Sequence, residues 1–265
     1  MNFLYKIISK KKEEIRKNSK KKSIEEPRKC LSLSNSIRKS KTGIIAEFKR
    51  ISPTKVLINE RFFIEDVVIG YENAGASGVS VLTDDKYFSA RNADLPKTRR
   101  NVSIPILRKD FIIDESQIIA SKAIGADAVL FIAEILSKEV LIKFVKKAKN
   151  IGLDVIMELH SSNELEKIPL ELEEEIDFIG VNNRNLKNFS IDIECSVQLS
   201  RKINFFKISE SGISNLGDIF FLKKLGFHSF LIGESFMNSS NPWRICEKII
   251  QKMNNIPSYE FFIKK

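Results

Sequence analysis

The sequence predicts an α/β protein built as a (β/α)8 TIM barrel, preceded by an N-terminal helical extension. Three observations carry this. Eight short apolar runs recur, with starts 23 to 35 residues apart. Most are apolar on both faces, as buried parallel strands require. Between them lie amphipathic stretches at helical period, and eight such units in one stretch of chain match a closed barrel. A doubly wound open sheet is the alternative. It calls for a glycine-rich phosphate turn after the first strand, and the first run here lacks one.

In chain order, residues 1–42 read as a basic helical extension. Leu4, Ile7, Ile8 and Ile15 fall at helical spacing with lysines between them, and a polar break follows around residues 18–28. The strand runs are 43–49, 78–83, 105–109, 128–133, 154–159, 177–181, 205–209 and 229–233. Helices are expected over 62–74 (Ile64, Val67, Val68 and Tyr71 on one face), 115–124, 140–148, 219–225 and 243–253. Asp114, Ser137, Ser161, Ser162 and Ser214 stand where N-caps belong. Gly75, Gly125, Gly152 and Gly226 stand where helices should stop. The segments after Tyr87 and after Ile191 are weaker as helices. The catalytic barrel is expected over 43–256, with a short tail at 257–265.

Composition narrows the function. Of 265 residues 43% are hydrophobic and 29% charged, as in a folded soluble protein. The net charge of +10 suggests nucleic acid, but residues 1–50 hold 16 Lys/Arg against 5 Asp/Glu, and the rest holds 28 against 29. The excess is local, so RNA binding through the basic arm is a minor alternative. Cys30, Cys195 and Cys246 are odd in number and scattered, which argues against a disulfide framework and for the cytoplasm. With two histidines and no Cys/His cluster at metal spacing, no metal site is expected. His160 and His228 read as structural, and Trp243 as a core residue. No run is long enough to span a membrane, and Lys6 interrupts an N-terminus too weakly apolar for a signal peptide.

Chemistry concentrates at one end of the strands. In the first run Glu47 and Lys49 share a face, and Ser52-Pro53-Thr54-Lys55 then breaks the strand into a polar, basic loop. Later runs end at Thr83-Asp84, Lys109-Asp110, Glu134, Glu158, Asn182 with Arg184, Glu210-Ser211-Gly212 and Gly233-Glu234-Ser235. Charges at the same end of strand after strand indicate a pocket. The small residues at 209–214 and 232–235 leave backbone N–H groups for an anion, in the two loops where barrels commonly bind phosphate.

The motifs IIAEFKRISPTK, ASGVSVLTDDKYF, ILRKDFIID, MELH, IGVNNRNL, SESGIS and LIGES follow one another between residues 44 and 235. In order and spacing they resemble indole-3-glycerol-phosphate synthase of tryptophan biosynthesis. The resemblance implies conversion of 1-(2-carboxyphenylamino)-1-deoxyribulose 5-phosphate to indole-3-glycerol phosphate, with loss of CO2 and water and no cofactor. It implies Lys109 as general acid, Glu158 as acid/base for the dehydration, Lys49 as partner of the anthranilate carboxylate, and Glu47 as the group orienting both lysines. It places Ser52, Asn182, Arg184, Glu210 and Ser211 on the substrate and Lys55, Gly212, Gly233 and Ser235 on its phosphate. Two departures bear on loop mobility and turnover: Val56 where the family usually has glycine, and Ser89-Ala90-Arg91 where it usually has Gly-Ser. The chain ends soon after the eighth helix, so a monofunctional enzyme is expected, and a monomer is the expected state. The rival within the same fold is another phosphate-binding barrel, such as an isomerase of the same pathway, which has no need of Lys49, Lys109 and Glu158 together.

Overall fold

The computed structural model describes residues 3–18, 28–52 and 61–255. Eight parallel strands close into a barrel in sequence order, with β8 pairing back onto β1. They are β1 (Ile44–Phe48), β2 (Gly78–Leu82), β3 (Ile106–Lys109), β4 (Ala128–Ile132), β5 (Asp154–Leu159), β6 (Phe178–Asn182), β7 (Lys207–Glu210) and β8 (Ser229–Ile232). Each lies within one or two residues of its expected run.

The helices are α1 (Phe3–Asn18), α2 (Leu33–Lys39), α3 (Ile64–Asn73), α4 (Asp85–Phe88), α5 (Asp94–Asn101), α6 (Glu115–Ala123) and α7 (Lys138–Asn150). They continue with α8 (Ser162–Leu165), α9 (Glu194–Ser200), α10 (Leu216–Lys224), α11 (Glu234–Met237) and α12 (Pro242–Asn254). The weak segment after Tyr87 is filled by α5, reached through the one-turn α4, and α9 after Ile191 is short.

Local signals explain most boundaries. Asp114 caps α6 in a reciprocal box with Gln117, and Ser137 accepts the Val140 N–H at 3.4 Å. Ser161 occupies the cap position of α8, yet its hydroxyl donates to Glu164 Oε1 at 2.8 Å instead of accepting. Ser214 is corrected: Asn215 caps α10, while Ser214 donates its N–H and hydroxyl to Asp218. The four expected helix-stop glycines all have positive φ, from 83° to 108°.

Alternation along the strands divides the core. Ile44, Ala46 and Phe48 pack outward under the helices, while Ile45 joins Leu107, Leu130, Ile156, Phe178 and Ile208 inside the barrel. The extension serves both ends of that interior. Leu4 and Ile7 of α1 and Leu33 and Ile37 of α2 belong to the same inner cluster. α2 closes the N-terminal end of the strands: Ser32 and Ser34 bind Asp154 at the start of β5, and Ser36 binds the Ser77 carbonyl ahead of β2. Nearby, fully buried Asp127 accepts from Arg28, Arg99 and the N–H groups of Leu31 and Ile106. α1 lies across the other end, over the strand C-termini.

Candidate active site

Three charged side chains meet at the C-terminal mouth. Lys109 at the end of β3 donates to Glu158 Oε2 of β5 at 2.8 Å and to Glu210 Oε2 of β7 at 2.7 Å. Both carboxylates are almost fully buried. Burial works against the ammonium, but Glu158, Glu210 and Glu47 outweigh it and hold the Lys109 pKa above its ordinary value. Burial likewise opposes the Glu158 charge, yet Lys109 and His160 keep its pKa below the ordinary carboxylate value. Glu210 goes the other way: burial, with Glu158 adding to it against the pull of Lys109, raises it to about 7. The site therefore rests with one firm carboxylate, one firm ammonium and one acid poised near neutrality.

The neighbours keep these groups in place. Asn182 at the end of β6 donates to Glu158 Oε1 at 3.1 Å, and its own carbonyl oxygen accepts the Arg184 N–H at 3.0 Å. Arg184 also pairs with Glu234 at 3.1 Å. Glu47 Oε1 meets Lys49 Nζ at 2.8 Å, as their shared strand face requires, while buried Glu47 Oε2 has no hydrogen-bond partner among the described residues. Two glycines make room for carboxylates. A Cβ on Gly180 would strike Glu210 Oε1, and one on Gly233 would strike Glu47. Ser211 and Gly212 both take positive φ, 64° and 76°, turning the chain sharply after β7. The Ser235 hydroxyl donates to the Ile213 carbonyl and so ties the loop after β8 to the loop after β7.

Most of these groups line one cavity of about 600 Å3. Glu47, Lys49, Ser52, Lys109, Glu158, Asn182, Arg184, Glu210, Ser211, Gly212, Gly233 and Ser235 all reach it. Lys55 and Val56 lie outside the described residues. The approach to that loop is held by buried Arg50, which grips Asp94 of α5 through both guanidinium nitrogens. Much of the remaining wall is apolar, with Ile7, Phe88, Phe111, Leu130, Leu186 and Leu231. Such a cavity suits an aromatic ring at one side and an anionic group at the glycine-lined loops.

Sequence reading missed two charged residues here. His160, taken as structural, places Nε2 3.2 Å from Glu158 Oε1. The available signal was strand alternation, because residues 158 and 160 share a face. Lys11, one of the lysines between the apolar positions of α1, is only 2% exposed and pairs with Asp84 at 2.8 Å and Asp110 at 3.0 Å. Its signal was its place one helical turn after Ile7, on the buried face.

Comparison with known proteins agrees with this geometry. The Indole-3-glycerol phosphate synthase family profile matches residues 4–249. Proteins named indole-3-glycerol phosphate synthase from Bacteroides thetaiotaomicron and Caldanaerobacter subterraneus are each 42% identical, over 83% and 89% of this chain and 84% and 93% of theirs. The one from Petrotoga mobilis is 38% identical over 96% of this chain and 99% of its own. Among solved structures, thiamine phosphate pyrophosphorylase from Pyrococcus furiosus superposes with a TM-score of 0.57 at 16% identity, covering 84% of this chain and 99% of that one, a likeness of fold alone. By profile and by identity along nearly its whole length, the chain belongs to the indole-3-glycerol phosphate synthase family.

Proposed function

We propose that this cavity closes an indole ring, converting 1-(2-carboxyphenylamino)-1-deoxyribulose 5-phosphate to indole-3-glycerol phosphate with release of CO2 and water. The observation that carries the reading is Lys109, an ammonium held between Glu158 and Glu210 in a largely apolar cavity. The substrate ring lies on the apolar wall, with its carboxylate toward Lys49. Glu47 orients Lys49 through their 2.8 Å contact. The phosphate takes backbone N–H groups at Gly212, Gly233 and Ser235, with Ser52, Ser211 and Lys55 completing its surroundings. Asn182 and Arg184 shape the wall between.

The chemistry follows from these positions. The ring carbon bearing the carboxylate attacks the ketone carbon, and Lys109 gives its proton to the ketone oxygen as charge develops there. CO2 then leaves from the same ring carbon, and its bonding electrons restore the aromatic ring. Loss of the new hydroxyl as water needs a proton taken from the adjacent carbon and a proton placed on the leaving oxygen. Glu158 starts as a carboxylate, accepts the first and supplies the second. Lys109 regains its proton from solvent, so one proton is consumed per turnover. No step transfers electrons to an outside acceptor, so the reaction asks for no redox cofactor.

The test is to supply the carboxyphenylamino-deoxyribulose phosphate and follow the indole fluorescence of the product. Lys109→Met is expected to lower kcat by about 10^2- to 10^4-fold with an unchanged circular dichroism spectrum. Undiminished turnover in that variant, or no turnover and no substrate binding in the wild type, would sink the reading. We place the enzyme in the cytoplasm as a monomer: its three cysteines are unpaired, as in a reducing compartment, and gel filtration checks the monomer. None of the described helices is long and apolar enough to cross a membrane.

A further inference from the structure

Behind Glu158, on the side away from Lys109, lies a charged group that the chemistry above does not use. His160 is the first residue after β5, two beyond Glu158, and its side chain is 8% exposed. Its Nε2 lies 3.2 Å from Glu158 Oε1 and its Nδ1 3.6 Å from Glu164 Oε2. Neither ring nitrogen is aligned for a full hydrogen bond, so attraction between charges carries both contacts. Both nitrogens face carboxylate oxygens, the arrangement of a doubly protonated ring.

Glu164 is itself held in place. It accepts the His160 backbone N–H at 3.0 Å and the Ser161 hydroxyl at 2.8 Å. The Cys195 thiol, reaching across from α9, donates to the His160 carbonyl at 3.2 Å. The imidazole is thus clamped between an α8 carboxylate and the β5 carboxylate, with its backbone fixed from two directions.

We propose that His160 is a positioning residue for the reaction, a cation that holds Glu158 ionised and aimed at Lys109. This rests on the ring-closing reading above. The groups facing the imidazole from each neighbouring element agree in sign. Glu158 comes from β5, Glu164 from α8, and Glu134, from the turn after β4, has its carboxylate within 4.8 Å of the same ring and of Glu164. Lys187 pairs with Glu134 at 3.3 Å and offsets part of that third charge. Lys109 and Asn182 contact Glu158 and not the imidazole. Burial penalises the imidazolium, but the contacts with Glu158 and Glu164 outweigh it and push its pKa to about 10. The cation is therefore present throughout the neutral range.

The consequence is specific. Glu158 and Glu210 share Lys109, so they take up their first proton as a pair, and that event sets the acid limb of kcat/KM. Removing the His160 charge makes Glu158 a better proton acceptor, so the limb moves to higher pH. His160→Gln, which keeps an N–H donor but loses the charge, is expected to raise that limb by about one pH unit. With it, kcat is expected to fall by about tenfold with KM little changed, as for an interaction realised in the transition state. Glu164→Gln leaves the imidazolium facing Glu158 and removes one nearby negative charge, so its limb should stay in place or move slightly to lower pH. A lowered kcat with an unmoved pH profile in His160→Gln would overturn the proposal, because a merely structural histidine predicts that result.

A second readout does not depend on turnover. The chain has only two histidines, so 15N NMR of the rings is directly assignable with His160→Gln. His228 is held below its ordinary pKa by burial and by Lys207, Arg38 and Lys223. One doubly protonated ring at pH 8, absent in His160→Gln, is the expected spectrum. A neutral His160 ring at pH 8 would overturn the inference. The cation present in a wild-type protein that makes no indole would instead count against the ring-closing reading alone.

Discussion

Lys11 of α1 and Asp110 at the mouth of β3 form a buried ion pair at 3.0 Å, with side chains only 2% and 1% exposed. Asp110 is the residue after Lys109, and it also accepts from Thr83, Arg108 and the Phe111 N–H. Asp84, the N-cap of α4, holds the same lysine at 2.8 Å. One lysine thus locks the extension onto the end of the barrel where Lys109 works. Burial opposes the Lys11 charge, and Asp110 and Asp84 overcome it, raising the pKa.

Lys11→Met should release α1 and leave the barrel folded. Removing one partner of a buried pair costs about 3–5 kcal/mol, and α1 has only Leu4 and Ile7 otherwise buried in the inner cluster. Limited trypsin digestion is expected to cut within α1 faster than in the wild type. Because Ile7 lines the cavity, KM should rise more than kcat falls. Equal protection from trypsin would show that the helix is held by other contacts.

Glu210→Gln separates stability from activity by pH. The folded protein holds a proton on Glu210 up to about pH 7, whereas an unfolded chain releases it near 4.5. Ionised Glu210 is therefore a penalty that appears as pH rises from about 4.5 and is complete above 7. Glutamine carries no such penalty. The stability of the variant relative to wild type should thus increase by about 1–3 kcal/mol between pH 5 and pH 8.5, while kcat falls. Urea denaturation at the two pH values checks this, and a difference independent of pH would refute it.

Gly233→Ala tests the space reserved for Glu47. The new methyl group meets the Glu47 carboxylate and its Cβ, all within a packed barrel mouth. Relief requires Glu47 to swing away from Lys49. A stability cost of about 1–3 kcal/mol is expected, together with a loss of kcat/KM of about tenfold or more. Thermal denaturation and steady-state kinetics read the two effects separately.

Asp127→Asn tests the division between the two ends of the barrel. Asp127 is fully buried and binds two guanidinium groups, Arg28 and Arg99, far from the cavity. The neutral amide leaves both arginines uncompensated, at a cost of about 3–5 kcal/mol. kcat at a temperature where the variant is folded should remain within about twofold, since active sites of such barrels lie at the opposite face. A large drop in kcat would mean that the two ends are coupled.

Much of the fold was legible because its determinants are local. A run such as AVLFI is buried on both faces wherever it pairs, so β4 followed from composition and length. Gly125 and Gly226 marked helix ends because a left-handed residue is needed there, with φ of 108° and 83°. Ser214 misled because Ser and Asn both cap well, and only the backbone geometry chose Asn215. The candidate site was legible as a list of strand ends. It was not legible as a set of contacts, since Lys109 meets partners 49 and 101 residues away.

Residue type and spacing along the chain carry the eight-fold alternation, the placement of charge at one end of it, and the family motifs. These depend on side-chain period and residue type, which the chain carries at every position. Which charges are paired and which are poised emerges from packing. Closure of the barrel removes Glu158 and Glu210 from water and places one ammonium between them, and the resulting balance of desolvation and Coulomb energy splits two chemically identical carboxyls. The same closure made Lys11 and His160, neither of them marked as a site residue by the sequence, into buried cations, because their carboxylate partners come from distant parts of the chain or are set by the packed loop ends.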